Sequence, residues 1–188
     1  YNNSSPIRNY YAVLDDQSKY FTLATNGIGK FDKQEFSISC WFYLTNATDY
    51  KILWSYDYTA HSAPYYSQHL RIDYQTYKTI SCYWNKAGTS KGMGTDGIYL
   101  TELNKWTHVV WTMSITGTYL YVNGNLITSN TTPADIGNIT YYNQEVWIGK
   151  SNFTTSHYHY ADEYSFWIRA LTPFEVKSLY NAGNGIYY

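Results

Sequence analysis

Between Trp54 and Trp84 the chain sets aromatic rings beside groups that hydrogen-bond: Tyr56, Asp57, Tyr58, His61, Tyr65, Tyr66, Arg71, Asp73, Tyr74 and Trp84 all fall within this stretch. Pyranose rings stack on aromatic faces, and their hydroxyls take amide, carboxylate or guanidinium partners, so the chemistry open to the stretch is saccharide recognition. Ser62 and Pro64 place Tyr58, Tyr65 and Tyr66 in exposed loops. For Trp54, Tyr74 and Trp84 the alternative is core packing, and for Trp54 it is the preferred one. Hydrolysis of a glycosidic bond needs two carboxyl groups about 5 to 10 Å apart. Asp162 and Glu163 are adjacent, so on a strand they point to opposite faces and cannot partner each other; no enzymatic activity is expected. His61, His69, His157 and His159 have no Cys or acidic residue at zinc-site spacing and are expected to be exposed or hydrogen-bonded. Cys40 and Cys82 occupy core-like segments, either bridged across the fold or as two buried thiols. Neither has the electropositive setting of a nucleophile.

The elements that must position these residues show in the hydrophobic pattern. Phe36, Ile38, Cys40, Phe42 and Leu44 alternate with Ser37, Ser39, Trp41 and Tyr43, and Val109, Trp111 and Met113 alternate with Val110 and Thr112. Further strands are predicted over 20–24, 51–55, 70–74, 79–84, 119–122, 146–149 and 164–168. Asn26-Gly27, Asp96-Gly97 and Asn123-Gly124 mark turns. The last pair, between two strand-like runs, predicts a two-residue type I′ hairpin. Many short strands with little helical periodicity predict an all-β, two-sheet antiparallel sandwich. One helix is expected: Thr172-Pro173-Phe174-Glu175 carries an N-cap, a Pro at the first position and a capping box. It should run to about Tyr180, with Gly183 as its left-handed stop.

Composition narrows the class. The 188 residues include 24 Tyr, 7 Trp and 15 Asn, and only 14% are charged, against a usual quarter. Such a chain suits strands, turns and neutral polar partners, although AT-rich coding also favours Tyr and Asn. Thirteen Lys plus Arg against fourteen Asp plus Glu give a net charge of −1 without a basic run, which disfavours nucleic acid. No apolar stretch approaches the roughly 20 residues needed to cross a bilayer. One domain over residues 1–188 is expected, burying roughly 70% of the surface of the unfolded chain. With Tyr1 first and no leader segment, it is expected to be a mature or excised piece of a longer protein. Six sequons, at Asn2, Asn3, Asn46, Asn130, Asn138 and Asn152, exceed the roughly three expected by chance and favour a secreted, glycosylated surface protein.

Three segments carry a family resemblance. Phe36-Ser-Ile-Ser-Cys-Trp-Phe-Tyr resembles the first core strand of the laminin-G-like, concanavalin A-like jelly-roll family. Lys105-Trp-Thr-His-Val-Val-Trp with Tyr119-Leu-Tyr-Val-Asn-Gly resembles its central hairpin, and Val146-Trp-Ile-Gly with the run from Ala161 to Tyr180 resembles its closing strand and helix. The resemblance implies a jelly roll whose closing helix seals one mouth of the sandwich with Phe174, Val176, Leu179 and Tyr180. Glucanases of this fold carry Glu-x-Asp-x-x-Glu or similar on one strand, and none of the five Glu here stands in such a pattern. Family resemblance also implies Ca2+ as a cofactor, held by the Leu14-Asp15-Asp16 turn and Asp162, with Gln17 where the family usually has Gly. The alternative for Asp162 is a cap on loop amides. The function expected from all this is a non-catalytic glycan-binding or adhesion module on a cell or virion surface. Its rival is a structural decoration or assembly domain of a capsid, tail or filament that binds neighbouring proteins.

Overall fold

The computed structural model describes residues 12–14, 20–23, 35–46, 50–57, 68–73, 79–86, 89–95, 103–133, 135, 145–151 and 159–185. Among these, twelve strands form two six-stranded sheets. Sheet A is ordered β1 (Ala12–Leu14), β12 (His159–Trp167), β3 (Phe36–Leu44), β8 (Trp106–Met113), β9 (Thr118–Val122) and β10 (Asn125–Asn130). Sheet B is ordered β2 (Phe21–Leu23), β11 (Glu145–Ile148), β4 (Tyr50–Asp57), β5 (Gln68–Asp73), β6 (Thr79–Lys86) and β7 (Thr89–Gly94). Every pairing is antiparallel, and the chain crosses repeatedly between sheets, as in a jelly roll.

Period-two alternation decides what lies between the sheets. Phe36, Ile38, Cys40 and Phe42 from β3, with Val109, Trp111 and Met113 from β8, face Trp54, Leu70, Ile72, Ile80, Cys82 and Trp84 of sheet B in one core. Its centre is aromatic: Phe36 meets Trp111 edge-on at 4.9 Å, and Trp54 and Trp84 lie 6.2 and 6.5 Å from Trp111. The indole Nε1 groups of Trp111 and Trp84 donate to Thr118 Oγ1 and to the Asp135 carbonyl, so their burial strands no donor. Cys40 and Cys82 are both buried free thiols. Burial pushes each thiol well above its ordinary pKa, so both stay protonated at neutral pH.

The predicted strands fall on β2 to β6, β8, β9, β11 and β12. Two strands carry no sequence signal. β1 has three residues, too few to display a period. β7 reads Thr-Ser-Lys-Gly-Met-Gly, poor strand formers, yet a Cβ on Gly92 or Gly94 would come within 2.8 Å of the Tyr83 ring or 2.9 Å of Ser81 Oγ. These glycines let an edge strand close on β6.

The hairpin joining β9 and β10 has Asn123 at φ 50° and Gly124 at φ 74°, both positive as a type I′ turn requires. Helix α1 (Pro173–Tyr180) begins with the expected capping box, Thr172 and Glu175 bonding reciprocally. Its stop differs from expectation. Asn181, at φ 45°, already caps the helix in the left-handed region, and Ala182 and Gly183 continue there through a 3-10 turn (Asn181–Gly183).

The helix is also placed differently. Val176 packs with Val110, Tyr121 and Leu171, and Val110 and Tyr121 point away from the core that takes Val109 and Leu120. Thus α1 lies on the outer face of sheet A instead of sealing a mouth. Ser37 Oγ fastens its approach, donating to the Arg169 carbonyl and accepting from Leu171 N. Phe174, expected to pack, is 80% exposed, because its helical position turns it off the sheet.

Candidate functional site

The residues of the 54–84 stretch separate in the structure. Tyr56 and Trp84 are 1% and 0% exposed, inside the core cluster; neither ring offers a face to a sugar, which corrects the expectation for both. Trp54 is core as preferred. Asp73 is buried on β5, outside the reach of a surface ligand. Arg71 is half-buried, its guanidinium 4.2 Å above the Tyr83 ring. Asp57 ends β4. Tyr58, His61, Tyr65, Tyr66 and Tyr74 lie outside the described residues, as do His157 and the sequons Asn138 and Asn152. At Asn130 the side chain is engaged locally, donating to Asp135 Oδ2 and accepting from Thr132 N. Asn46 directly follows the bend after β3.

Asp162 stands where β12 is irregular. Its register against β3 shifts between Asp162 and Ser165, and Glu163 has φ 49°. The bulge breaks the alternation that would send the two carboxylates to opposite faces, and both rim one hollow with Ala12, Phe21, Leu23 and Ile148. Asp162 Oδ1 accepts from Glu163 N. The other implied calcium donors, Asp15 and Asp16, lie outside the described residues. Leu14, just before them, pairs with His159, three positions from Asp162 and roughly 10 Å along the strand. Among the described residues no group of three or more His, Cys, Asp or Glu could hold a metal ion. His69 and His159 are buried, and His159 is held near pKa 3 by burial and by Lys51.

A different place gathers aromatic rings and amides at the surface. On the outer face of sheet A, beside the C-terminal end of α1, Trp41, Lys105, Trp106, Asn123, Tyr180, Gly183 and Asn184 line a hollow of about 400 Å³. Each arrives for a local reason. Trp41 and Trp106 are at outward positions of β3 and β8. Asn123 is the first residue of the type I′ turn, and its Oδ1 accepts from His108 N while Asn123 N donates to the His108 carbonyl. Tyr180 closes α1, stacking on Trp41 at 5.8 Å and on His108 at 6.1 Å. Gly124 backs it so closely that a Cβ there would lie 3.0 Å from Tyr180 Cδ1.

Beneath this stack, His108 shares a 2.7 Å hydrogen bond between Nε2 and Ser39 Oγ, and its Nδ1 has no partner among the described residues. Burial lowers its pKa to about 3, so the ring is neutral at ordinary pH. With Trp41 only 2% exposed, the rings offered to the hollow are the half-buried Trp106 and Tyr180. The amides are arranged to serve hydroxyls. Asn123 uses its carbonyl oxygen and keeps Nδ2 as a donor, whereas Asn184 donates from Nδ2 to the Asn181 carbonyl and keeps Oδ1 as an acceptor. A hydroxyl, both donor and acceptor, matches such a pair. Sequence reasoning missed the site because its parts are separated by 143 positions from Trp41 to Asn184. The outward period of β3 and β8 was the signal that could have found its two Trp.

Comparison with known proteins agrees with the fold. The model of the concanavalin A-like lectin/glucanases superfamily matches residues 15–177. No curated protein sequence gives a significant match. Among solved structures, the NanB sialidase of Streptococcus pneumoniae, in its K499G mutant form, is 15% identical at a TM-score of 0.70, with 89% of this chain and 27% of that chain covered. The botulinum neurotoxin serotype D binding domain is 14% identical at 0.68, with 91% and 42% covered. The serotype G binding domain is 17% identical at 0.63, with 87% and 40% covered. The chain thus spans less than half the length of each. With the family model covering most of its residues, the chain belongs to the concanavalin A-like lectin/glucanase superfamily.

Proposed function

We propose that this chain is a non-catalytic glycan-binding or adhesion module acting outside the cell or on a virion, and that a saccharide docks in the hollow beside Tyr180. The observation that carries the reading is the pairing, in one hollow, of the Trp106 and Tyr180 rings with an amide donor at Asn123 and an amide acceptor at Asn184. Superfamily membership and the fold shared with neurotoxin binding domains support a binding role. No helix among the described residues is long and apolar enough to cross a membrane.

A glycan array probed with the full 188-residue chain tests the reading. Trp106→Ala should weaken a bound glycan about five-fold, the equivalent of about 1 kcal/mol for one aromatic contact. Its melting temperature should change by only a few degrees. Tyr58→Ala and Tyr65→Ala locate the alternative site: losses there with Trp106→Ala silent would return the site to the 54–84 loops. Affinity should vary little between low and physiological salt. Absence of glycan binding together with self-association of the chain would favour the assembly module.

Calcium stays a subsidiary proposal, with Asp162 and the Asp15/Asp16 turn as its donors. An ion bound only by the folded state raises its stability by mass action. EDTA should then lower the melting temperature and added Ca2+ restore it; no response would leave Asp162 as a cap on Glu163 N.

A further inference from the structure

Tyr160, Tyr43 and Trp106 form a row that the hollow does not account for. Tyr160 on β12 pairs in register with Tyr43 on β3, and Tyr43 pairs with Trp106 on β8. All three are out of phase with the core residues Phe42 and Ala161, so they stand side by side on the outer face of sheet A. Their ring centroids are 5.6 and 5.7 Å apart, with planes tilted by 44° and 56°. Each ring is half-buried. The row ends at Trp106, which is also a wall of the hollow, making row and hollow one continuous surface.

Cross-strand aromatic pairs support a sheet by some 0.2–1 kcal/mol each, and such support explains two neighbouring rings. It does not explain why the row runs into a hollow furnished with an amide donor and an amide acceptor. Strand spacing, about 4.8 Å, sets the repeat of the row. One hexose advances a linear chain by a similar length, and no ring of the row carries a charge. We infer that the ligand is a linear oligosaccharide bound by its end, with uncharged units along the row. Its terminal unit enters the hollow beside Tyr180, and the following units lie across Trp106, Tyr43 and Tyr160. This inference rests on the glycan reading and names the ligand class and polarity of that site.

The test is titration calorimetry of the full chain with cello-, chito- and malto-oligosaccharides of one to six units. In the series that binds, affinity should climb with length to about four units, one for the hollow and one per ring, and then level off. Tyr160→Ala should remove about five-fold of that gain from the longer chains, and Tyr160→Phe, which keeps the ring, should restore it. Phe174→Ala, remote from the row, controls for nonspecific effects, and melting temperatures exclude unfolding. Affinity independent of length, or an equal loss for one unit and for six in Tyr160→Ala, would overturn the row while leaving a glycan site in the hollow. Failure of the wild-type chain to bind any of these series or any array glycan would remove the glycan reading and the row together.

Discussion

The outer faces of the two sheets carry opposite answers to one question, what a sandwich does with the side it does not pack against its partner. On sheet B that side holds Ser55, His69, Asp73, Ser81 and Asn85, every one buried, with Arg71 folded over Tyr83. On sheet A the part that α1 leaves open holds Tyr43, Trp106 and Tyr160, every one half-exposed, whereas Ser39, Trp41 and His108 on the same side are buried. These polar side chains of sheet B are withdrawn from solvent while the three rings of sheet A are offered to it, the reverse of what hydropathy suggests. Residue type in a stretch of sequence therefore indicates possible chemistry, whereas accessibility depends on the face a residue occupies and on what packs over it.

The largest expected effect comes from Trp84. Trp84→Ala empties the core and should cost about 3–5 kcal/mol, lowering the melting temperature by roughly 10 °C. Whatever binding it loses should be recovered at lower temperature, where the chain is folded. A Trp84→Ala chain that melts normally but has lost its ligand would place Trp84 in the site instead of the core.

Acid acts on two buried histidines of sheet A. His108 and His159 are depressed to about 3, below their unfolded value near 6.5. As pH falls under 6.5 the unfolded chain takes up protons that the folded chain refuses, so stability declines down to pH 3. At pH 5 each histidine should have cost about 2 kcal/mol. His108→Phe, which keeps a ring between Trp41 and Tyr180, should flatten part of this decline. Denaturant midpoints at pH 5 and 7 measure it, and an unchanged pH profile in that variant would show His108 to be accessible to protons.

Gly124→Val sharpens the contrast from the aromatic side. Forcing a β-branched residue to positive φ costs about 1–3 kcal/mol, and the new Cβ meets Tyr180. Both thermal stability and binding at the hollow should fall. Stability lost with binding intact would mean that Tyr180 is not part of the site. The smallest effect belongs to Phe174→Ala: at 80% exposure its removal should shift stability by less than about 0.5 kcal/mol.

Much of the fold was legible in the chain because local rules and tertiary needs coincide there. β3 was readable end to end, since one of its faces is uninterrupted core. The type I′ turn and the capping box were readable because each depends on adjacent residues. β7 was not, because its glycines answer to Tyr83 and Ser81 on another strand. The position of α1 was not, because Val176 is equally suited to a mouth or to the outer sheet, and its partners Val110 and Tyr121 lie more than 50 positions away. The site suffered most. Trp41, Trp106 and Tyr180 share no segment, and the 54–84 stretch gathers suitable residue types whose rings, at Tyr56 and Trp84, fill the core.

The clasp of Ser37 on Arg169 and Leu171 has a consequence in time. It joins residues 132 positions apart, and α1, with the Tyr180 that walls the hollow, follows all twelve strands in the chain. During synthesis β3, β8 and β9 leave the ribosome well before the element that completes the proposed recognition surface. Pairings this distant also close slowly. A nascent chain can therefore assemble much of its sandwich before the proposed binding surface exists, and acquires that surface only when the helix docks.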